Sequence, residues 1–457
     1  MSRGFPIEIE AQTATETRPK GRSLFWPERI WPERILGPRP GLREINLVCW
    51  SSFVAFLLVP LCVVHFIQVK HGGGSIRQLN SDFVYVYGVG QIAHRYSPAR
   101  IYDSSLQQQV FLAIQPPRDG TYGPSPYPPF VAMFFAPFTY VSFPAAYLVW
   151  LGTSLALYLI GIGATATAVF PNERLKISLI VCLALAFYPF IFGTLLNGQL
   201  ATIAICAVGL AIYKERRGNL FQSGLALALL SYKPTLLLLL IPMLLLTRRF
   251  KTLLGFITGA GILILAATAF AGMKIWPTYA SMLRYFGHVA GVSGASHLQL
   301  WKYLDLSSSF SAIPGGRSAV GTALLISIIG ASAATLAVLL WKSPSRGRPA
   351  QWLAWAATLT WTLLLNVYVP IYDSVLVILA VVLTLGALRD LGWSIAAEWI
   401  AFLAIVGFAL SWETESFARA HGIQLLTVML AVLGSVQLLL LRSAIRQRTP
   451  ELAPSAV

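Results

Sequence analysis

The sequence predicts an all-α, polytopic membrane protein, and three observations carry that reading. The 457 residues are 56% hydrophobic and only 11% charged. Apolar runs of roughly twenty residues recur from Leu47 to Leu441, the length that crosses a hydrocarbon core of roughly 30 Å. The basic residues gather in short segments between those runs, which is how a chain fixes its orientation in a bilayer.

In chain order, residues 1–45 read as a cytoplasmic tail rich in Arg, Glu and Pro, without helical periodicity. It holds a tandem repeat, Trp26-Pro27-Glu28-Arg29-Ile30 and Trp31-Pro32-Glu33-Arg34-Ile35. The repeat reads either as a docking element at the headgroup level or as a duplication in an unconstrained segment. The tail is long and mixed in charge, and no small-residue cleavage site follows the first run, so Leu47 to Val69 stays as a helix rather than a signal peptide.

Helices are expected near 46–69, 144–170, 177–195, 198–213, 219–232, 234–248, 252–270, 318–341, 351–369, 372–388, 394–412 and 421–441, about twelve crossings in all. Tyr127 to Phe143 is apolar but is interrupted by Pro128, Pro129 and Pro137. Treated as a juxtamembrane or re-entrant helix, it leaves about two thirds of the 34 Lys and Arg on the side of the N-terminus. Treated as a span, it would move Lys214-Glu215-Arg216-Arg217, Arg248-Arg249 and the basic C-terminus outside, against the positive-inside tendency. The organisation that follows is a tail (1–45), a module (46–317) with outer loops 70–126 and 271–317, further transmembrane helices (318–441), and a basic cytoplasmic tail (442–457).

Composition also excludes functions. The net charge of +16 belongs to membrane orientation and anionic headgroups rather than nucleic acid. Cys49, Cys62, Cys182 and Cys206 all lie within apolar runs, without metal-site or disulfide spacing, and read as small core residues. No Walker A pattern or strand–glycine-rich turn–helix is present to cradle a nucleotide's phosphates. No Gly-x-Ser-x-Gly elbow or His-Glu-x-x-His pair supports hydrolysis.

The expected topology brings the polar residues to one outer face: Asp82, Asn197-Gly198-Gln199, Tyr232-Lys233-Pro234, the 271–317 loop and Pro370-Ile371-Tyr372-Asp373. A membrane protein that gathers ionisable residues and long loops on one face does its chemistry or recognition there. Asp82, set among aromatics in Ser81-Asp82-Phe83-Val84-Tyr85-Val86-Tyr87, serves either as an N-cap or as a catalytic carboxylate. Lys233 has no carboxylate near it in sequence and so either snorkels or meets an anion, the anion being favoured. His288 and His297 are nine residues apart without a third ligand at metal spacing, so they read as hydrogen-bonding groups near a substrate.

These residues occur in a recognisable order: Asp82-Phe83-Val84-Tyr85-Val86-Tyr87, Ile101-Tyr102-Asp103, Tyr127-Pro128-Pro129-Phe130, Asn197-Gly198-Gln199, Gly224 to Lys233-Pro234, and Tyr372-Asp373-Ser374-Val375-Leu376. Over residues 46 to 390 the chain resembles the polytopic glycosyltransferases of family 87, which have the GT-C fold. The resemblance implies transfer of a sugar, typically mannose, from a polyprenyl-phosphate donor to a lipid or glycan acceptor on the periplasmic face of a bacterial inner membrane; the sequence itself offers no cofactor motif and no metal-ligand set, and does not tell whether a divalent ion assists. It places the catalytic aspartate at Asp82. Lys233 would be a phosphate clamp, and Tyr85, Tyr127, Asn197, Gln199, His297 and Asp373 would contact substrate, with Tyr87 as a further stacking candidate. The chain departs from the family pattern at Ser296-His297-Leu298-Gln299, where an Asn-Gln-Ser-type element is usual, and at Ser374, where the family has Leu. A transporter or flippase of a lipid-linked glycan is the competing reading, weakened because no inverted repeat is visible.

Overall fold

The computed structural model describes residues 48–49, 51–52, 82–115, 122–292, 300–313, 315–344, 347–367 and 369–447. All of its regular structure is helical among the described residues, apart from one isolated bridge between Tyr303 and Pro370. The helices are α1 (Phe83–Arg95), α2 (Ser104–Ile114), α3 (Pro129–Phe135), α4 (Phe143–Val169), α5 (Arg174–Leu185), α6 (Ala201–Arg216), α7 (Leu220–Ala228), α8 (Leu240–Leu246) and α9 (Phe250–Ala271). They continue with α10 (Ile275–Val292), α11 (Leu306–Ala312), α12 (Ala319–Lys342), α13 (Gly347–Leu364), α14 (Leu376–Asp390), α15 (Ser394–Leu410), α16 (Thr414–His421) and α17 (Leu425–Arg446).

Five described helices are long and apolar enough to cross a bilayer: α4, α9, α12, Ile371–Asp390 and α17. Two bent pairs raise the number to seven, α5 with Pro189–Leu195 at 58° and α15 with α16 at 68°. The sequence expects twelve. The expected helix at 46–69 lies almost wholly outside the described residues, as do the tail and its repeat. The other four form helices, but α6 and the pieces Leu220–Tyr232 and Pro234–Leu246 are short, and α13 is enclosed by protein. From Trp352 to Leu364 every residue of α13 is buried, and Thr358, Thr360 and Thr362 each donate to the carbonyl four residues back. A helix shielded from lipid need not be apolar all round.

The centre of the bundle is the Ile371–Asp390 helix, 94% buried, whereas Phe250–Ala271 on the periphery is only 11% buried. Close crossings hold the inner helices. A Cβ at Gly209 in α6 would overlap the backbone of Gly161 in α4, and one at Gly224 in α7 would overlap that of Thr252 in α9. Small residues that let backbones approach are how helices associate where lipid removes the hydrophobic drive.

Two local breaks position the site. Pro234 disfavours helix at the residue before it; accordingly Lys233 leaves the helical region (φ −136°, ψ 82°) between 3₁₀ turns Leu229–Tyr232 and Pro234–Leu237. Its two arms return to the same end of the bundle, because Glu215 just before α7 is paired with Arg249 just after α8. Each arm is an apolar helix too short to cross a bilayer, and Lys233 stands at the tip of the hairpin they form. Pro129–Tyr140, expected as a juxtamembrane or re-entrant helix, is likewise an apolar helix too short to span. It packs under α1, where Phe83 meets Phe135, Phe143, Tyr147 and Tyr87 at ring separations of 5.6–6.0 Å.

Candidate active site

The turn between Pro189–Leu195 and α6 organises the site. Gly198 takes φ +72°, and a Cβ there would lie 2.6 Å from that of Phe83. The turn is held by three hydrogen bonds from α1 and α4: Phe83 N donates to Asn197 O (3.1 Å), the Tyr147 hydroxyl to Leu196 O (2.7 Å), and the Trp150 indole to Gly198 O (3.1 Å). Gln199 is thereby fixed in a buried position, its Nε2 donating to Asp82 Oδ2 at 2.7 Å and its Oε1 accepting from the Tyr127 hydroxyl at 3.3 Å. The Tyr127 carbonyl is itself held by the Tyr102 hydroxyl at 2.6 Å.

The capping role for Asp82 is corrected here. Asp82 occupies the N-cap position of α1 but its carboxylate makes no capping hydrogen bond (φ −93°, ψ −21°). With helical rather than extended dihedrals, the side chain points away from the first-turn amides and reaches Gln199 instead. By contrast Asp103 in the same loop is a true cap of α2, bonded to Leu106 N at 3.1 Å, Ser105 and Arg100. Those partners hold its carboxyl well below the usual carboxylate range.

The second charged group is Lys233. It does have a carboxylate: Asp373, 140 residues away in sequence and 1% exposed, receives its ammonium in a direct ion pair. The ammonium also lies over the Tyr372 ring, 4.9 Å from the centroid. A carboxylate as buried as that of Asp373 requires such a partner. The pair leaves capacity unused, for Asp373 Oδ1 and the buried Tyr232 hydroxyl have no hydrogen-bond partner among the described residues.

Tyrosines join the two charged centres. Asp82 acts electrostatically on Tyr85, Tyr122, Tyr127 and Tyr372, and Asp373 acts on Tyr127, Tyr232 and Tyr372. Tyr303 is bridged to Pro370, two residues before Tyr372. Burial first, then the Asp82 charge, pushes the Tyr85 phenol up to about 12, and burial followed by both carboxylates raises that of Tyr127. These phenols are therefore neutral donors throughout the physiological range.

Of the residues expected from sequence, Asp82, Gln199 and Tyr127 form one contact chain, and Lys233 with Asp373 forms a second beside it. Tyr85 is half-buried, its ring edge-on to Phe111 and Tyr122 at 5.4 and 5.5 Å. Asn197 contributes its carbonyl to the turn. Tyr87 is core rather than sugar platform: it is 4% exposed and its hydroxyl donates to Val141 O. His297 lies outside the described residues, and the backbone of His288 falls in α10. Sequence reasoning passes over Tyr122 and Tyr303 and gives no role to Tyr232 and Tyr372, although Tyr232-Lys233 and Tyr372-Asp373 each place a tyrosine directly before the charge it lines. Among the described residues no group of three or more His, Cys, Asp or Glu side chains could hold a metal ion.

Comparison with known families decides the class. The model of glycosyltransferase family 87 matches residues 126–369, just over half of the chain. The chain belongs to glycosyltransferase family 87. It is a multi-pass membrane glycosyltransferase, and its sugar donor and acceptor are the ligands such a site must hold. No curated protein and no solved structure gives a significant match. The family match contains Tyr127, Asn197, Gln199 and Lys233; Asp82 and Asp373 lie on either side of it and enter the site only through the fold.

Proposed function

We propose that this family 87 glycosyltransferase moves a sugar, with mannose the expected one, from a polyprenyl-phosphate donor to a hydroxyl of a lipid or glycan acceptor. The setting is the periplasmic face of a bacterial inner membrane, in a GT-C-type helical bundle. Asp82 is the general base: it takes the proton of the acceptor hydroxyl as the oxygen attacks the anomeric carbon. The bond from that carbon to the phosphate oxygen breaks, and the lipid phosphate leaves with the electron pair. Attack opposite the leaving group inverts the anomeric centre. A positioned base contributes on the order of 10² to 10⁴ in rate.

The observation that carries this reading is the adjacency of an oriented carboxylate and an ion-paired ammonium on either side of one turn. Asp82 is bonded to Gln199, whose backbone N–H donates to Thr194 O; the Thr194 hydroxyl donates to the Tyr372 carbonyl, and Lys233 sits over the ring of that same Tyr372. Lys233 supplies the positive charge for the departing phosphate, and the neutral phenols of Tyr127 and Tyr85 supply donors for sugar and phosphate oxygens. Asp373 keeps that ammonium in place, and its unpaired oxygen offers an acceptor for a sugar hydroxyl.

The test is transfer itself. Protein reconstituted in vesicles with radiolabelled polyprenyl-phosphomannose and membrane lipid acceptors yields a labelled lipid product. Movement of intact donor between leaflets without any product would replace the proposal with a flippase.

A further inference from the structure

Gln199 stands at the site with both ends of its amide engaged. It is 7% exposed, and its orientation follows from chemistry: an ionised carboxylate only accepts, so the NH₂ group faces Asp82 and the oxygen faces the Tyr127 hydroxyl. Its backbone N–H donates to Thr194 O at 2.9 Å, and the turn around it is clamped by α1 and α4 through Phe83, Tyr147 and Trp150. A side chain committed in this way has little left for a sugar. Asp82, for its part, gets no orientation from the helix it begins.

We propose that Gln199 is a positioning residue for Asp82, holding the carboxylate where the acceptor hydroxyl arrives, and is not a substrate contact. The proposal deepens the reading of Asp82 as the base and rests on it for its catalytic consequence. A neutral amide suits the task. Lys or Arg at this place would fix the carboxylate equally well, but the opposite charge would make it a weaker base. An amide supplies one directed hydrogen bond without a counter-charge. The Tyr127 hydroxyl locks the amide against flipping, which extends the chain of orientation to the loop that Tyr102 anchors. Among the described residues, the titratable groups facing Asp82 include Tyr85 from its own helix, Tyr122 and Tyr127 from the loop, and Tyr372 from the late turn, with the Lys233–Asp373 pair behind Tyr372. The phenols are neutral and the pair is internally compensated, so a new charge at position 199 would dominate any change at Asp82.

Two readouts test this, one independent of turnover. Carbodiimide reacts with protonated carboxyls, so its labelling of Asp82 against pH, with Asp82→Asn as the blank, reports where that carboxyl titrates. In Gln199→Glu a second carboxyl sits at hydrogen-bond distance and the two share a proton, which moves the Asp82 labelling midpoint upward by about a unit or more. With polyprenyl-phosphomannose as donor, the acidic limb of the turnover profile moves with it. Gln199→Met, of matching length, keeps KM for the donor and loses kcat by on the order of ten- to a hundredfold, as misplacement of a reacting group does. An unmoved labelling midpoint overturns the inference whatever the turnover does, and so does a raised KM with unchanged kcat in Gln199→Met. Turnover surviving in Asp82→Asn instead refutes the base assignment and leaves the labelling result to judge the Gln199–Asp82 contact.

Discussion

At one end of α6 and α14, the carboxylates of Glu215, Glu173 and Asp390 all have partners. Glu215 accepts from Arg249 at 2.9 Å and from the Trp355 indole at 3.1 Å, and Arg249 stacks over Trp355 at 5.3 Å. Glu173 binds Lys176 and Arg389, while Arg389 and the Trp352 indole both reach Asp390. At the opposite end of the same two helices, the carboxylate of Asp373 is more deeply buried than any of these, yet one of its oxygens and the neighbouring Tyr232 hydroxyl are unpaired among the described residues. The two ends use the same residue types. They differ in whether hydrogen-bonding capacity is spent within the fold, as in a brace, or left over among the described residues, where the proposed function would spend it on substrate.

The largest effect on stability is expected at the open end. Lys233→Met leaves Asp373 as an unpaired buried carboxylate, which costs about 3–5 kcal/mol when a buried pair is broken from one side. Thermal unfolding in detergent should show the loss, and adding Asp373→Leu should restore most of it while turnover stays absent. If Lys233→Met were as stable as the parent, the pair would not be the internal partner described here.

Arg249→Ala, at the braced end, should cost less, about 1–3 kcal/mol, because Glu215 keeps its Trp355 hydrogen bond and can reach water. Its turnover should match the parent's; a large loss there would erase the distinction between the two ends. Smaller still is Arg389→Ala, whose pair with Glu173 is about one-third exposed on each side and so should change stability by under about 1 kcal/mol.

Much of the open end is legible in the sequence as a set of residues, and little of it as a set of contacts. Asp82, Tyr127, Gln199, Lys233 and Asp373 can all be named from the chain, because a polar group in a lipid-soluble sequence is conspicuous. Their pairing cannot, since Gln199 lies 117 residues from Asp82 and Asp373 lies 140 from Lys233. Distance along the chain therefore makes Lys233 look unpartnered. Asp82 reads equally well as a cap, because the residue type favours that position and only the backbone dihedrals decide against it. The crossing helices show the same limit. Run length marks α4, α9, α12 and α17 well, but it counts Leu220–Tyr232 and Pro234–Leu246 as full spans. The break at Lys233-Pro234 is visible in sequence; that its two short arms fold back to one end, where Glu215 pairs with Arg249, is a property of the packed hairpin.

The contrast between the ends converges on Asp82. The most direct measurement is single-turnover transfer from radiolabelled polyprenyl-phosphomannose by reconstituted Asp82→Asn, beside Arg249→Ala and the parent. The account predicts a rate lowered by about 10²-fold or more in Asp82→Asn, with donor binding and thermal unfolding unchanged, and a parental rate in Arg249→Ala. Equal product from Asp82→Asn and the parent would contradict it.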